Sequence, residues 1–384
     1  RPPFSGADGV ATGPRGCDAR GVSTDAERFA AAALACDGSV HWHARRTPAE
    51  ELAAWSALCD ELGIDGWDTY GEGGAVERLE AEVAELLGKD AGIAFPSGIM
   101  AQQCALRVWC DAHGTRRVAI PDLAHPLVHE EDGPRRLHGF AFQHLTTGRE
   151  VATAARLDAV PGRLGAVVAE LPLRDAGCIL PTWDELTGLA AAARQRGTPL
   201  HLDGARLWEC QASYRRPHAE IAAQADSVYV SLYKGLGAPA GALVACGAGA
   251  ADEVRLWRRR MGGTLYRMTP LALGGLVGMR RELPRMAEYL AWARAFAAAL
   301  SAQGLRPFPQ VPHISTFLVY ADADADAVNA RLIADMTSCG MQLSPRWRPA
   351  DAPGTAVAEF AVYGAAQAHD PAAAAARLAA IVAG

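Results

Sequence analysis

The chain lacks the continuous apolar stretch that a membrane-spanning helix requires. Such a helix needs roughly 18 or more apolar residues, and even the alanine-rich segment 293–302 is interrupted by Arg294 and Ser301. An excess of charge of one sign is also missing, because 37 basic residues stand against 43 acidic ones in a chain of 384. Half of the residues are hydrophobic, which is typical of a globular protein with a sizeable core. We therefore expect neither a membrane nor a nucleic acid as a partner.

Paired cysteines are missing as well. Nine cysteines are present without a CxxC pair or a regular spacing, so the sequence predicts neither a disulfide framework nor a zinc site. We expect no metal, and reduced thiols in a cytoplasmic setting. The first 30 residues are rich in glycine, proline and arginine and contain no apolar signal-peptide core. They predict a flexible N-terminal tail.

Hydrophobic periodicity divides the rest of the chain into two folding units. Apolar residues at three- and four-residue steps predict an amphipathic helix over 75–87 that ends at Gly88. Short apolar runs then alternate with helical patterns, which is typical of a mainly parallel sheet covered by helices. We expect a large α/β domain over 31–275 and a smaller C-terminal α/β domain over 276–384. The predicted strands are 92–95, 117–120, 166–171, 199–202, 227–231 and 241–246 in the large domain, and 315–320 and 359–363 in the small one.

Two residues with catalytic chemistry each follow a predicted strand. Asp203 comes after the strand 199–202, and Lys234 comes after the strand 227–231 in a turn of glycines and proline. Open α/β sheets bind ligands at the carboxyl ends of their strands. A lysine amine there can form a Schiff base with pyridoxal 5'-phosphate (PLP), and a carboxylate can keep the pyridine nitrogen protonated. A lone lysine or a lone Asp-Gly turn is usually structural, so the prediction depends on their occurring together.

Two further strand ends supply the remaining parts of a PLP site. Ser97, Gly98 and Ile99 join a predicted strand to a helix, where free backbone amides bind anions such as a phosphate. His125 follows the strand 117–120, where an imidazole can lie flat on the cofactor ring. Each part is commonplace alone. The ordered combination of turn, histidine, aspartate and lysine predicts a PLP enzyme with Lys234 as the point of attachment.

In this order the motifs resemble the threonine aldolase and β-eliminating lyase family of fold-type I PLP enzymes. The resemblance spans about residues 67–275 and includes Tyr-Gly-Glu at 70–72, His-Leu-Asp-Gly-Ala-Arg at 201–206 and Ser-Leu-Tyr-Lys-Gly-Leu-Gly-Ala-Pro at 231–239. It implies a fold-type I structure, a lyase that acts on an amino acid, and a homodimer or homotetramer.

The resemblance also implies a role for each candidate site residue. Lys234 resembles the Schiff-base lysine, Asp203 the partner of the pyridine nitrogen and His125 the stacking imidazole, and these three are the expected catalytic residues. The cofactor-binding residues that it implies are Ser97, Gly98, Ile99, His125, Asp203, Arg206, Ser231 and Lys234. The substrate-binding residues are Tyr70, Arg206 and Glu359, with Arg206 on the substrate carboxylate.

Three departures from the family pattern bear on the substrate. Ile99 replaces a threonine of the phosphate turn, which leaves backbone amides and Ser231 for the phosphate. The family's Glu-Asn-Thr-His element reads Glu-Leu-Pro-Leu at 170–173, so that no imidazole is available there. Glu359 stands where the family has an arginine that pairs with the substrate carboxylate. Since that pair is strong and planar, an acidic replacement predicts weaker carboxylate binding or a cationic substrate.

The expected reaction is cleavage of a β-hydroxy-α-amino acid to glycine and an aldehyde, with His125, His129 or a bound water as the base. The missing imidazole and Glu359 leave a second reading open, which is β-elimination or aldol-type chemistry on an unusual, cationic amino acid. A third class, a non-catalytic relative that binds a cofactor or partner, is disfavoured because the chain keeps both Lys234 and Asp203.

Overall fold

The structure, a computed structural model, describes residues 24–384. Helices and strands alternate through most of this part of the chain. The helices are α1 (Asp25–Ala35), α2 (Pro48–Leu62), α3 (Gly74–Leu87), α4 (Gly98–Ala112), α5 (His125–Val128), α6 (Gly133–His138), α7 (Ala154–Asp158), α8 (Trp183–Gln195), α9 (Leu207–Tyr214), α10 (His218–Ala222), α11 (Ala248–Arg260), α12 (Thr269–Arg281), α13 (Met286–Ala302), α14 (Ala325–Cys339) and α15 (Pro371–Ala383). The strands are β1 (Gly38–Ser39), β2 (Ala91–Phe95), β3 (Arg117–Ile120), β4 (Ala141–His144), β5 (Ala166–Glu170), β6 (Leu200–Gly204), β7 (Ser227–Ser231), β8 (Ala242–Cys246), β9 (Arg306–Phe308), β10 (Thr316–Ala321), β11 (Met341–Gln342), β12 (Arg348–Pro349) and β13 (Ala356–Ala361).

Seven strands form the large sheet, in the order β2-β8-β7-β6-β5-β3-β4. All neighbours from β7 to β4 pair in parallel, whereas β8 runs antiparallel to both β7 and β2. The loop between β7 and β8 is too short for the crossover that a parallel neighbour requires. The prediction of a mainly parallel sheet is confirmed. Because β8 alone is reversed, β2, β3, β5, β6 and β7 all end at the same edge.

Burial explains why the central strands were recognisable in the sequence. Every residue of β5, β6 and β7 is buried, as expected where helices cover both faces of a parallel sheet. Helix α3 buries Val76, Leu79, Val83 and Leu87 on one face and ends at Gly88, whose φ of 60° is left-handed. The six predicted strands of the large domain are therefore present, displaced by no more than two residues.

A second hydrophobic core lies beneath the four-stranded antiparallel sheet β12-β13-β10-β9. Its large buried side chains include Phe296, Phe317, Trp347 and Phe360. Helix α1 contributes Phe29 to the same core, and β1 pairs with β11. The N-terminal part of the described chain therefore packs with the C-terminal part.

The structure differs from the sequence-based boundaries in two places. Helix α1 begins at Asp25, inside the predicted tail, because Thr24 and Glu27 form a reciprocal capping box and Phe29 is buried. The rest of that predicted tail, residues 1–23, lies outside the described residues. The boundary after residue 275 falls inside α12, which packs on the core of the large sheet. The division into a large and a small domain stays a prediction.

Candidate active site

A cavity opens at the edge of the large sheet where β2, β3, β5, β6 and β7 end. Five segments of the chain that are remote in sequence meet there because their strands share one direction. The residues that line it are Gly98, Ile99, Gln102, His125, Glu130, Glu170, Pro172, Arg174, Asp203, Ala205, Arg206, Tyr229, Tyr233 and Lys234.

Lys234 lies at the wall of this cavity, in the turn that follows β7. Its carbonyl oxygen accepts hydrogen bonds from the Gly237 amide at 3.0 Å and the His43 Nε2 atom at 2.8 Å. Gly237 has a φ of 66°, a conformation that favours glycine. Burial and the Arg206 guanidinium hold the pKa of the Lys234 amine well below its ordinary value. A larger share of this amine is therefore neutral and nucleophilic than in a solvated lysine.

Asp203 lies on β6 with only 1% of its surface exposed. One carboxylate oxygen accepts the Ala205 amide at 3.1 Å, and the other accepts the Gln102 side-chain amide. These two donors fix the orientation of the carboxylate. It lines the same cavity as Lys234.

The turn between β2 and α4 brings backbone amides to the cavity. Ser97 caps α4, and its hydroxyl accepts the Met100 amide at 3.3 Å. A Cβ atom on Gly98 would lie 2.1 Å from the Tyr229 hydroxyl, so no larger residue fits there. Gly98 and Ile99 line the cavity at the start of the helix, where free amides attract an anion.

His125 begins α5 and is fixed at two points. Its backbone amide donates to Glu170 at 2.9 Å, and its Nδ1 atom lies 3.2 Å from the Glu130 carboxylate. Because a carboxylate accepts hydrogen bonds and does not donate them, Nδ1 of His125 carries the ring proton. The Nε2 atom is then free to accept a proton during the reaction. Burial lowers the pKa of His125, but the hydrogen bond to Glu130 and the charge of Asp203 outweigh burial and raise it.

Two arginines and Glu359 form a cluster at the cavity. The Glu359 carboxylate accepts Arg174 Nε at 3.2 Å and lies 3.0 Å from a second nitrogen of that guanidinium. It also lies 3.6 Å from the Arg206 guanidinium. Both arginines line the cavity, whereas Glu359 is not among the lining residues. The predicted acidic residue is therefore close to the site, but its charge is shared by two arginines.

The remaining predicted residues differ in their placement. Ser231 is fully buried, is not among the lining residues, and lies next to the Tyr229 hydroxyl. Tyr70 is 52% exposed, and its ring packs edge-on against Tyr266 at 5.3 Å, outside the cavity lining. His129 is bonded to Asp175 at 2.7 Å and does not line the cavity. Ser231 and Tyr70 therefore stay predictions.

Several lining residues were given no role in the sequence-based prediction. Arg174 follows the altered element 170–173 and pairs with Glu359. Glu130 and Glu170 hold His125, and Gln102 holds Asp203. Glu130, five residues after His125, and Glu170, at the start of the altered element, both belong to the family resemblance, although neither was assigned a contact with His125. No local pattern distinguishes Gln102 or Arg174 from ordinary positions.

The donors of the cavity fit PLP. Arg206 Nε is buried and has no hydrogen-bond partner within residues 24–384, so an acceptor in the cavity would satisfy it. The cavity also combines a lysine with a depressed pKa, an anchored carboxylate and an amide-rich turn. These groups match the aldehyde, the pyridine nitrogen and the phosphate of PLP.

Comparison with known proteins agrees with this arrangement. The model of the β-eliminating lyase family matches residues 48–324. Low-specificity L-threonine aldolase 1 of Arabidopsis thaliana is 27% identical over 283 residues, which cover 70% of this chain and 76% of the relative. The solved structure of a putative L-allo-threonine aldolase from Listeria monocytogenes is 32% identical, with a TM-score of 0.86 and coverage of 94% of this chain and 99% of that one. That of a putative aromatic amino acid β-eliminating lyase/threonine aldolase from Exiguobacterium is 33% identical, also with a TM-score of 0.86, and covers 92% and 99%.

Residues 24–384 contain neither a membrane-spanning helix nor a cluster of metal ligands. No helix there is long and apolar enough to cross a bilayer. No group of three or more histidine, cysteine or acidic side chains there is placed to hold a metal ion.

Proposed function

Because the chain belongs to the β-eliminating lyase family, we propose that it is a PLP-dependent lyase that cleaves the Cα–Cβ bond of a β-hydroxy-α-amino acid to glycine and an aldehyde. The chain has the fold-type I architecture of PLP enzymes. The observation that carries the proposal is the convergence of Lys234, Asp203 and His125 on one cavity.

The chain's own residues would hold the cofactor at three points. Lys234 would hold its aldehyde carbon and Asp203 its pyridine nitrogen, while Gly98 and Ile99 offer backbone amides to its phosphate. Ser97 and Ser231 are the hydroxyls proposed to assist there. When bound, PLP supplies an electron sink for the charge that bond cleavage leaves on Cα.

Arg206 and Arg174 would bind the substrate carboxylate. Both guanidiniums line the cavity, whereas Glu359 and Asp175, the carboxylates that pair with them, do not. A guanidinium that faces the ligand attracts a carboxylate and repels a cationic side chain. This arrangement argues against a cationic substrate, because Glu359 pairs with Arg174 and is not among the lining residues.

His125 is the residue that we propose as the base. Its Nδ1 atom donates to Glu130, which leaves Nε2 to take the proton of the substrate β-hydroxyl. The raised pKa of His125 strengthens it as a proton acceptor. His129 is a weaker candidate because its Nε2 atom is engaged by Asp175. Leu173 is buried and cannot replace the imidazole that the family carries in that segment.

An assay of aldehyde release tests this function. The PLP-loaded enzyme should release glycine and acetaldehyde from L-threonine or L-allo-threonine. Asp203→Ala should lower that rate by at least about 100-fold, the scale expected when one electrostatic partner is removed. Circular dichroism of the variant checks that its fold is intact.

The same assay separates the alternatives. Pyruvate release from β-chloroalanine without cleavage of either threonine isomer would favour β-elimination. A variant Asp203→Ala with near-normal cleavage would contradict the role of this carboxylate.

We also propose a homodimer or homotetramer in the cytoplasm. Ile99, Leu265, Tyr70 and Tyr266 expose apolar surface, which is typical of a subunit interface. The segment before Leu265 reaches the start of α4, because a Cβ atom on Gly263 would lie 2.2 Å from Met100 Sδ. All eight cysteines within residues 24–384 are free, as expected in a reducing compartment. Cell fractionation would check the location.

A further inference from the structure

A buried row of hydrogen-bonded side chains extends behind Asp203, away from the cavity. The Trp109 indole donates to the Ser227 hydroxyl at 2.8 Å, and that hydroxyl lies 2.7 Å from His201 Nδ1. His201 Nε2 lies 3.0 Å from the Gln102 oxygen, and the Gln102 nitrogen bonds Asp203. We call Trp109, Ser227, His201 and Gln102 the Asp203 relay.

The fold brings the relay together from three elements. His201 and Asp203 lie two residues apart on β6 and share a face, and Ser227 is the register partner of His201 on β7. Gln102 and Trp109 lie two turns apart on α4, so both face the sheet. Helix α4 therefore carries the phosphate turn at its start and the relay along its side.

The Trp109 indole at one end and the Asp203 carboxylate at the other fix the direction in which the hydrogen bonds of the relay are donated. An indole N–H only donates, and an ionised carboxylate only accepts. Burial lowers the pKa of His201 to about 4, so the ring carries one proton at neutral pH. Ser227 accepts the Trp109 N–H and donates its own proton to His201 Nδ1. The single ring proton of His201 therefore lies on Nε2 and is donated to the Gln102 oxygen. Gln102 then turns its NH2 group toward Asp203, and every link pairs one donor with one acceptor.

A proton on Oδ2, the Asp203 oxygen that faces Gln102, would require the opposite direction, whereas Oδ1 already accepts the Ala205 amide. Gln102 would present its oxygen to Asp203 and its NH2 group to His201, whose ring proton would move to Nδ1. Both His201 and Trp109 would then donate to Ser227, and the Ser227 proton would lose its acceptor. The Trp109 indole therefore disfavours a proton on Oδ2 of Asp203, although the indole does not line the cavity.

We propose that the Asp203 relay is a set of positioning residues that keeps Asp203 ionised and aimed at the cofactor nitrogen. The inference rests on the proposed function, since it assigns the relay a purpose in PLP binding. If these side chains served only to give one another hydrogen-bond partners, their replacement would change the stability of the fold but not the ionisation of Asp203.

The test uses Trp109→Phe, which keeps an aromatic ring and removes the donor. Trp257→Phe is the matched control, because the Trp257 indole nitrogen is also buried but has no hydrogen-bond partner within residues 24–384. The titratable groups that act on or respond to Asp203 are His125, Glu170, His201, Tyr229 and Lys234, and both variants keep them.

The first readout is the dissociation constant of PLP from the full-length apoprotein as a function of pH. Trp109→Phe should weaken binding about fivefold, the size of one net hydrogen bond. Its affinity should also fall further below that of wild type as the pH is lowered, because the hydrogen-bonded row that favours the ionised carboxylate is incomplete. The control should match wild type in both respects. Equal profiles for Trp109→Phe and Trp257→Phe would overturn the proposal.

The second readout needs neither cofactor nor activity. Nitrogen-15 NMR of ring-labelled histidine in the apoprotein, with His201→Gln to identify the signal, should show the Nε2–H form of His201. The Nδ1–H form would overturn the relay even if PLP binds. Wild-type protein that binds no PLP would instead overturn the proposed function, and the purpose of the relay with it.

Discussion

At the scale of single residues, Glu359 and Arg174 form an ion pair beside the cavity. Glu359 stands on β13 where the family resemblance predicts an arginine, and Arg174 stands on the loop after β5. Their side chains meet with two contacts of 3.0 and 3.2 Å. A bidentate pair of this kind fixes the plane of the guanidinium. Arg174 is thereby oriented next to Arg206.

Replacement of Arg174 should lower the affinity for substrate more than it lowers the rate constant. Arg174→Gln should raise KM for L-threonine about tenfold, since a charge-assisted hydrogen bond contributes roughly 1.5–3 kcal/mol. The rate constant kcat should change less, because the carboxylate is bound in both ground and transition state. Steady-state kinetics measure both, and Arg163→Gln, on an exposed arginine outside the cavity, is the control.

Glu359→Gln separates this account from the cationic-substrate reading. We expect a smaller rise of KM for threonine, because Arg174 loses its orientation but keeps its charge. A variant Glu359→Gln that binds threonine better, together with Arg174→Gln that leaves KM unchanged, would show that Glu359 and not Arg174 faces the substrate.

At the scale of elements, helix α4 explains why the site is ordered. Its first residues form the amide-rich turn, Gln102 in its second turn bonds Asp203, and its buried face packs in the core. A glycine is required at its start because Tyr229 approaches to within 2.1 Å of any Cβ atom at position 98. Displacement of α4 would therefore disturb the phosphate turn and the carboxylate together.

The elements that carry the site were predictable from sequence because each is a short apolar run followed by a turn. Periodicity placed Asp203 and Lys234 at strand ends, and all of these strands are present. Strand β4 was missed because its four residues at the sheet edge are partly or fully exposed and carry no apolar run. The pairing of Arg174 with Glu359 joins residues 185 positions apart, and no local pattern encodes such a contact.

At the scale of the whole molecule, the exposed aromatic surface beside the phosphate turn predicts self-association. Tyr266 is 58% exposed and Tyr70 is 52% exposed, although large aromatic rings are normally buried. We expect a dimer or tetramer by light scattering. Tyr266→Glu should weaken the assembly and release PLP, because a buried charge at an interface is costly.

An exposed apolar residue in the loop between β9 and β10 provides the control. Val311→Glu changes a side chain of similar exposure (62%). If Tyr266→Glu leaves the molar mass and the PLP content unchanged, this surface is not the interface.

The central claim is that Lys234 attaches the cofactor, and the composition of the chain makes a direct test possible. Lys89 and Lys234 are its only lysines, and the Lys89 ammonium bonds the Ala225 carbonyl outside the cavity. Borohydride reduction of the PLP-loaded enzyme, followed by peptide mass mapping, should place one phosphopyridoxyl group on the peptide that contains Lys234. A label on Lys89, or a bound cofactor that reduction leaves without a covalent link, would contradict the account.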